Sequence, residues 1–485
     1  MDVHVSIAGR GDRSARIYRQ LLDAVLDGRL RPGERLPSTR ELALRIGVSR
    51  NTVALAYERL TAEGVVTGRV GSGTFVRAEP LRRPRPRNAP EGGVRPRELW
   101  RSPPVVPHDE PDGPDEAAWT PVYDFRAGFP DTRLFPFETW RGLLTRELRP
   151  ALTRSPGYGD PAGHAHLREA IARHVGISRS VRASAADVLV TQGAQQALDL
   201  IGRVLIEPGC EVAVEDPGYP PARRLFRSLG ARVTGVPVDA EGLDVSALPD
   251  SARLVYVTPS HQFPLGTAMS LGRRTALLDW AGRRGAVVIE DDYDSEFRFG
   301  GRPLEPLQSL DRDGHVVYVG SFSKTLLPML RLGFLIAPAS LRPALRTAKR
   351  LTDWHGETPT QAALARFIDE GLLARHVRRA TREYAARRER ILSTLGRDFS
   401  GLLEPVPSAA GLHLCAHLAP GAGTGTDRLR SRAARAGVAV DDLAPYHDAG
   451  PARPGLVIGY GSIPAERITP GLERLAESFR ALRGE

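Results

Sequence analysis

Lysine is almost absent from this chain. Of its 67 basic residues only Lys324 and Lys349 are lysines, and the rest are arginine. Cysteine is as scarce: Cys210 and Cys415 stand in separate segments without metal-ligand spacing, which excludes a disulfide framework or a cysteine metal centre and predicts reduced thiols of no catalytic consequence. No apolar run is long enough to span a bilayer, and Met1-Asp2-Val3-His4 lacks the basic and apolar regions of a signal peptide, so the expected compartment is the cytoplasm. What is there, 41% hydrophobic and 26% charged over 485 residues, suits two or three globular domains with a large core.

A drift toward arginine should replace any lysine that supplies only positive charge. A lysine needed as a nucleophilic amine resists that drift, because guanidinium stays protonated and cannot form an imine with an aldehyde. Lys324 ends the stretch Val316-Val317-Tyr318-Val319-Gly320-Ser321-Phe322-Ser323-Lys324, a short buried strand running into a Gly/Ser-rich turn. It is the candidate Schiff-base lysine; the plainer alternative is a surface lysine after a strand.

The net charge of +10 is unevenly spread: residues 1 to 87 carry seventeen arginines against nine acids, about +8, an electrostatic footprint for a polyanion. Here Ile17, Leu21, Ala24, Val25 and Leu26 recur at helical spacing until Pro32-Gly33. Ser38 followed by Glu41 is a capping box that opens a second helix ending at Gly47. Ser49 caps a third, with Val53, Ala56, Tyr57 and Leu60 on its inner face, and the turn between the two helices makes a helix-turn-helix. Val65-Val66-Thr67 and Thr74-Phe75-Val76 flank a glycine-rich turn and read as a hairpin wing. Arg50, Asn51 and Thr52 open the third helix, where a recognition helix meets base edges in the major groove, whereas Arg35, Arg40 and Arg69 are placed for phosphates.

Through Leu36-Pro37-Ser38-Thr39-Arg40-Glu41-Leu42-Ala43, Val48-Ser49-Arg50-Asn51-Thr52-Val53 and Ala56-Tyr57-Glu58-Arg59-Leu60-Thr61-Ala62-Glu63-Gly64, this stretch resembles the winged helix of the GntR type of bacterial regulators. The resemblance implies that Arg40, Arg50, Asn51, Thr52 and the wing glycine Gly71 face double-stranded DNA. The expected DNA-binding domain is 13–78, followed by a Pro/Arg-rich linker over 79–121 in the extended, mostly disordered regime.

From Asp187 onward strand-like and helical runs alternate, which predicts an α/β body with a mainly parallel sheet and ligands past the carboxyl ends of its strands. Gly193, Ala194 and Gln195 lie where a strand turns into a helix, so their free amides suit an anion such as a phosphate. Asp291 closes another strand, where a carboxylate can hold a pyridinium nitrogen protonated and make the ring an electron sink; an acidic solvated turn is the alternative. Tyr293 is placed for the phenolic oxygen of such a ring, and Arg331 could neutralise a phosphate together with Ser321 and Ser323. Together these describe a pyridoxal phosphate site without a metal.

On Gly193-Ala194-Gln195, Asp216-Pro217-Gly218-Tyr219, Asp291 with Tyr293, and Ser321-Phe322-Ser323-Lys324 followed by Arg331, the chain resembles a fold-type I aminotransferase over 122–485, with a large part at about 151–350 and a smaller C-terminal α+β part at about 371–485. The resemblance implies that Tyr219 stacks on the cofactor ring and that Tyr158 crosses to the phosphate of a partner subunit, hence a homodimer. Two departures stand out. Phe263 falls where the asparagine of an Asn-Pro-Thr-Gly turn is usual, and Leu456-Val457-Ile458-Gly459-Tyr460 offers no carboxylate-binding arginine, Arg453 being the nearest. The arginine-rich stretch 372–398 is read as a long solvated helix, with a second DNA surface as an alternative.

The whole arrangement resembles the MocR group of bacterial regulators, to which GabR and PdxR belong. That implies a transcription factor holding pyridoxal phosphate on Lys324 and sensing the cofactor itself, an amine or an amino acid; the alternative is a working aminotransferase with a DNA tether.

Overall fold

The computed structural model describes residues 5, 12–69, 71–77, 100, 120–149, 157–300, 305–420, 425–448 and 453–483. It divides into two compact units, Met1–Arg101 and Ser102–Glu485. Most of the linker expected at 79–121 lies outside the described residues.

In the first unit the helices are Arg13–Leu26, Thr39–Ile46 and Arg50–Ala62, followed by the antiparallel hairpin Val66–Arg69 and Gly73–Val76. One apolar cluster, including Ile17, Leu21, Leu42, Val53, Tyr57, Leu60 and Val76, holds them together. The second helix starts where the Ser38 hydroxyl accepts from the Glu41 amide and the Glu41 carboxylate accepts from the Ser38 amide, which satisfies two donors that a helix start leaves open. It stops at Gly47, whose φ of 66° ends the run in the left-handed region.

The second unit is built on an eight-stranded sheet. In spatial order its strands are Val188–Thr191, Gly333–Ile336, Val316–Ser321, Val287–Asp292, Ala252–Val257, Glu211–Asp216, Arg232–Asp239 and Gly242–Leu243. Gly333–Ile336 runs against both of its neighbours, and the short Gly242–Leu243 closes a hairpin at the far edge. The remaining strands are parallel, so Thr191, Asp216, Val257, Asp292 and Ser321 all end at the same edge. Their near-continuous apolar sequence follows from burial on both faces.

A second sheet carries Leu403–Pro405, His413–Leu418, Gly455–Gly459, Val438–Asp442 and Tyr123–Phe125 in that order. Its last strand comes from the start of the unit and pairs in parallel with Val438–Val440, so the segment after Phe125 passes directly from the small sheet to the edge of the large one. The helix Leu372–Asp398 packs against this sheet through Ala380, Tyr384, Ile391 and Leu395. Several of its arginines are engaged within the protein: Arg387 is buried and pairs with Asp131 at 2.5 Å, Arg388 donates to the Ser408 carbonyl, and Arg390 donates to the Ala465 carbonyl at 2.7 Å. The helix is therefore less solvated than its composition suggests. Among the described residues no helix is long and apolar enough to cross a membrane.

Candidate functional site

In the first unit the three residues that open the helix Arg50–Ala62 stand beside its cap. Arg50 and Asn51 are exposed, and Arg50 Nε lies 3.4 Å from the hydroxyl of Thr39. Thr52 is half-buried, its amide donating to the Ser49 hydroxyl at 3.2 Å and its own hydroxyl 2.8 Å from the same oxygen, so it also serves the cap. Arg35 and Arg40 are exposed, and Arg35 lies against the start of the second wing strand, where a Cβ on Gly73 would fall 2.9 Å from Arg35 Nε. At the wing, Arg69 sits 5.1 Å from the centre of the Phe75 ring. The wing turn needs glycine at 71, where φ is 75°. The structure thus gathers Arg50, Asn51, Thr52 and Arg40 around two adjacent helix starts, with Arg35, Arg69 and Gly71 on or beside the wing.

In the second unit a cavity of about 510 Å³ opens at the carboxyl edge of the large sheet. Its lining includes Ala194, Gln195, Tyr219, Asp291, Tyr293, Ser321, Ser323, Lys324 and Arg331. Most of the residues singled out from the sequence therefore meet in one place, as strand ends in a parallel sheet must.

Lys324 follows the strand Val316–Ser321. Buried Phe322 packs 5.7 Å from Phe334 and anchors the turn, and the Ser323 amide donates to the Ser321 hydroxyl at 3.1 Å. The Lys324 amine donates to the carbonyl of Gly128 at 2.6 Å. Burial holds its pKa below the ordinary value, while Asp294 and Asp291 pull the other way. The net shift is downward, the direction that eases loss of the proton a nucleophilic amine must give up.

Asp291 faces Lys324 from the neighbouring strand. Its Oδ2 accepts the hydroxyl of Tyr256 at 2.8 Å, and its Oδ1 is buried without a hydrogen bond. Burial pushes its carboxyl up to about 7. Next to the lining residue Ala194, Gly193 precedes the helix Ala194–Leu205 with φ of 78°. A Cβ there would sit 3.0 Å from the Arg331 guanidinium, so glycine lets that cation approach the free helix amides. Arg331 also donates to the Gln192 carbonyl at 2.7 Å.

Three features escape the sequence. The Tyr293 hydroxyl lies 2.9 Å from His261 Nδ1, and that nitrogen is also 3.0 Å from the Asp294 carboxylate. The His413 ring lies 4.9 Å from that of His261, tilted at 46°, and burial drives its pKa well below the ordinary value. The second lysine, Lys349, is fully buried and bonds Asp353 at 2.5 Å; Asp353 in turn accepts from Gln196 at 2.7 Å and Gln192 at 3.3 Å, which braces the turn before Gly193. Tyr158 is 76% exposed and 4.4 Å from the Trp354 ring, outside the cavity lining. Arg453 is also outside it and pairs with Glu404 at 2.5 Å.

Two families match the chain: bacterial regulatory proteins of the gntR family over residues 13–76, and aminotransferase class I and II over 137–445. The probable rhizopine catabolism regulatory protein MocR of Rhizobium meliloti is 37% identical, the match covering 96% of this chain and 93% of that protein. The pyridoxine biosynthesis transcriptional regulator PdxR of Corynebacterium glutamicum is 34% identical over 92% of this chain and 91% of its own length. Among solved structures, the α-aminoadipate aminotransferase LysN of Thermus thermophilus, complexed with N-(5'-phosphopyridoxyl)-L-leucine, is 31% identical, with a TM-score of 0.68 over 75% of this chain and 93% of that one.

Pyridoxal phosphate fits the residues present. A buried acceptor without a partner, Asp291 Oδ1, matches a protonated ring nitrogen; the Gly193 turn with Arg331 matches a phosphate; and Lys324 supplies the one amine on the wall. The chain therefore belongs to the MocR type of DNA-binding transcriptional regulators, in which a GntR-family winged helix precedes an aminotransferase class I and II body that takes pyridoxal phosphate.

Proposed function

We propose that the second unit is the sensor of this regulator and that Lys324 is the group through which it senses. When bound, pyridoxal phosphate supplies an aldehyde that takes a primary amine and a ring that withdraws electrons. The residues of this chain then divide the work. Lys324 offers the resident amine, Asp291 holds the proton on the ring nitrogen, and Arg331 with Ser321, Ser323 and the amides of Gly193, Ala194 and Gln195 neutralises the phosphate. Tyr219 covers one face of the ring, and Tyr293 reaches its phenolic oxygen from His261. The effector is either pyridoxal phosphate or an amino compound that exchanges with Lys324, and its differential binding shifts how the DNA readers are presented. DNA is met by Arg50, Asn51 and Thr52 at base edges and by Arg35, Arg40, Arg69 and Gly71 along the backbone. The exposed Tyr158 supports a homodimer in which each chain completes the other's site. A protein working on operator DNA acts in the cytoplasm, with residues 79–121 as the tether between reader and sensor.

The observation that carries this reading is the convergence of Lys324, Asp291 and Arg331 on one cavity in a chain that also holds the winged helix. Absorption spectra of the purified protein with and without borohydride, followed by mass mapping, test it: the reduced adduct should lie on Lys324. Operator gel shifts with and without pyridoxal phosphate at fixed salt should differ. Multiple turnover of amino and keto acids at about one per second or faster would instead make the protein an enzyme.

A further inference from the structure

We infer that the amine exchanged at Lys324 carries no carboxylate and has a largely apolar body. This rests on the sensing role given to Lys324 above and narrows it by what the cavity walls can pair. The charged side chains on the lining are Lys324, Arg331, Asp291 and Asp294. Lys324 is the reacting amine, and Arg331 is committed to the Gly193 turn, where its guanidinium meets the Gln192 carbonyl. No other guanidinium lines the cavity among the described residues.

The small-sheet side, where a carboxylate clamp would stand, is closed by apolar packing instead. Val457 is fully buried in a cluster with Ala127, Leu265, Cys415, Leu443 and Tyr446. Arg126, next to the lining residue Ala127, is gripped by Asp124 through bonds of 2.9 and 2.6 Å. A carboxylate entering here would lose its water beside Asp294 and Asp291 and gain no counter-charge, which is the costly way to bury an ion. An apolar body meets the opposite situation. The Phe263 ring stands 5.3 Å from His413, 5.3 Å from Tyr446 and 5.6 Å from Tyr219, all at steep angles, so it forms an aromatic wall beside the amine.

Spectral titration of the full-length, pyridoxal phosphate-loaded protein with matched pairs tests this: phenethylamine against phenylalanine, tyramine against tyrosine, pentylamine against norleucine. The visible band should half-saturate at an amine concentration at least about tenfold below that of its amino acid. Equal or tighter response to the amino acids would overturn the inference, whether the missing cation comes from a partner subunit or elsewhere. Phe263→Ala, checked for retained cofactor absorbance, should cost phenethylamine about tenfold while leaving methylamine nearly unchanged; equal losses would remove the aromatic wall from the argument. A band that no amine or amino acid shifts would sink exchange at Lys324 itself, a result distinct from a preference for carboxylates.

Discussion

Tyr256 holds Asp291 by one oxygen. Its hydroxyl donates to Oδ2 at 2.8 Å and leaves Oδ1 buried and unbonded, pointing to a charge or donor that must arrive with a ligand. A half-satisfied buried carboxylate is expensive on its own, so the pair is arranged for occupancy. Tyr256→Phe should therefore release pyridoxal phosphate about tenfold more readily, since a hydrogen bond to a charged group is worth about 1.5–3 kcal/mol. Equilibrium dialysis followed by absorbance would measure the change, and unaltered retention would remove Asp291 from cofactor anchoring.

The same carboxyl makes the cofactor-free protein sensitive to pH. Its folded pKa of about 7 lies above the ordinary 3.8, so between those values the folded chain keeps a proton that the unfolded chain has given up. Stability from this group is thus greatest at low pH and falls as pH rises toward 7. Asp291→Asn should flatten that fall, read as the difference in melting temperature between variant and parent across about pH 4 to 7. A parallel pair of curves would show that Asp291 does not titrate there.

Lys324→Arg keeps a cation in the turn but not an amine that can be made neutral. The variant should fold, show no imine absorption and yield no borohydride adduct. Persistence of the adduct, mapped to Lys349 or elsewhere, would contradict the assignment.

Arg50 stands exposed at the first turn of its helix, and Arg50→Ala should weaken operator binding by about 1–3 kcal/mol in a gel-shift titration at fixed salt. No change would place the reading surface on another element.

Ser38→Ala removes one half of the capping box and should cost the helix Thr39–Ile46 about 1 kcal/mol. Hydrogen exchange of its amides in the full chain would register this as faster opening confined to the winged helix.

Much of this was legible beforehand because local chemistry and fold agree. Ser38 and Glu41 announce their helix at a spacing only a cap requires, and strand-ending Asp291 and Ser321 share an edge because parallel strands do. The scarcity of lysine pointed to Lys324 but could not separate it from Lys349, since a buried ion pair with Asp353 also retains a lysine. Tyr256 was hidden inside the apolar run Leu254–Val257, where a tyrosine reads as core until the partner across the sheet is known. His261, Asp294 and His413 come from three distant segments, and only the tertiary fold brings them together. Tyr123–Phe125 carried no sign that it would join strands more than three hundred residues away, because long-range pairing leaves no local signature.

The bond from Lys324 to the Gly128 carbonyl has a mechanical corollary. Whatever claims that amine strips the half-buried carbonyl of its donor, which then needs another partner or water. Its neighbour Ala127 is pinned by its amide to Asp441 on the small sheet at 2.7 Å. The strand just upstream, Tyr123–Phe125, is the first of this unit among the described residues. The Lys324 bond and the Asp441 bond thus grip adjacent residues of one backbone segment, so a change at the amine bears on the anchor to the small sheet.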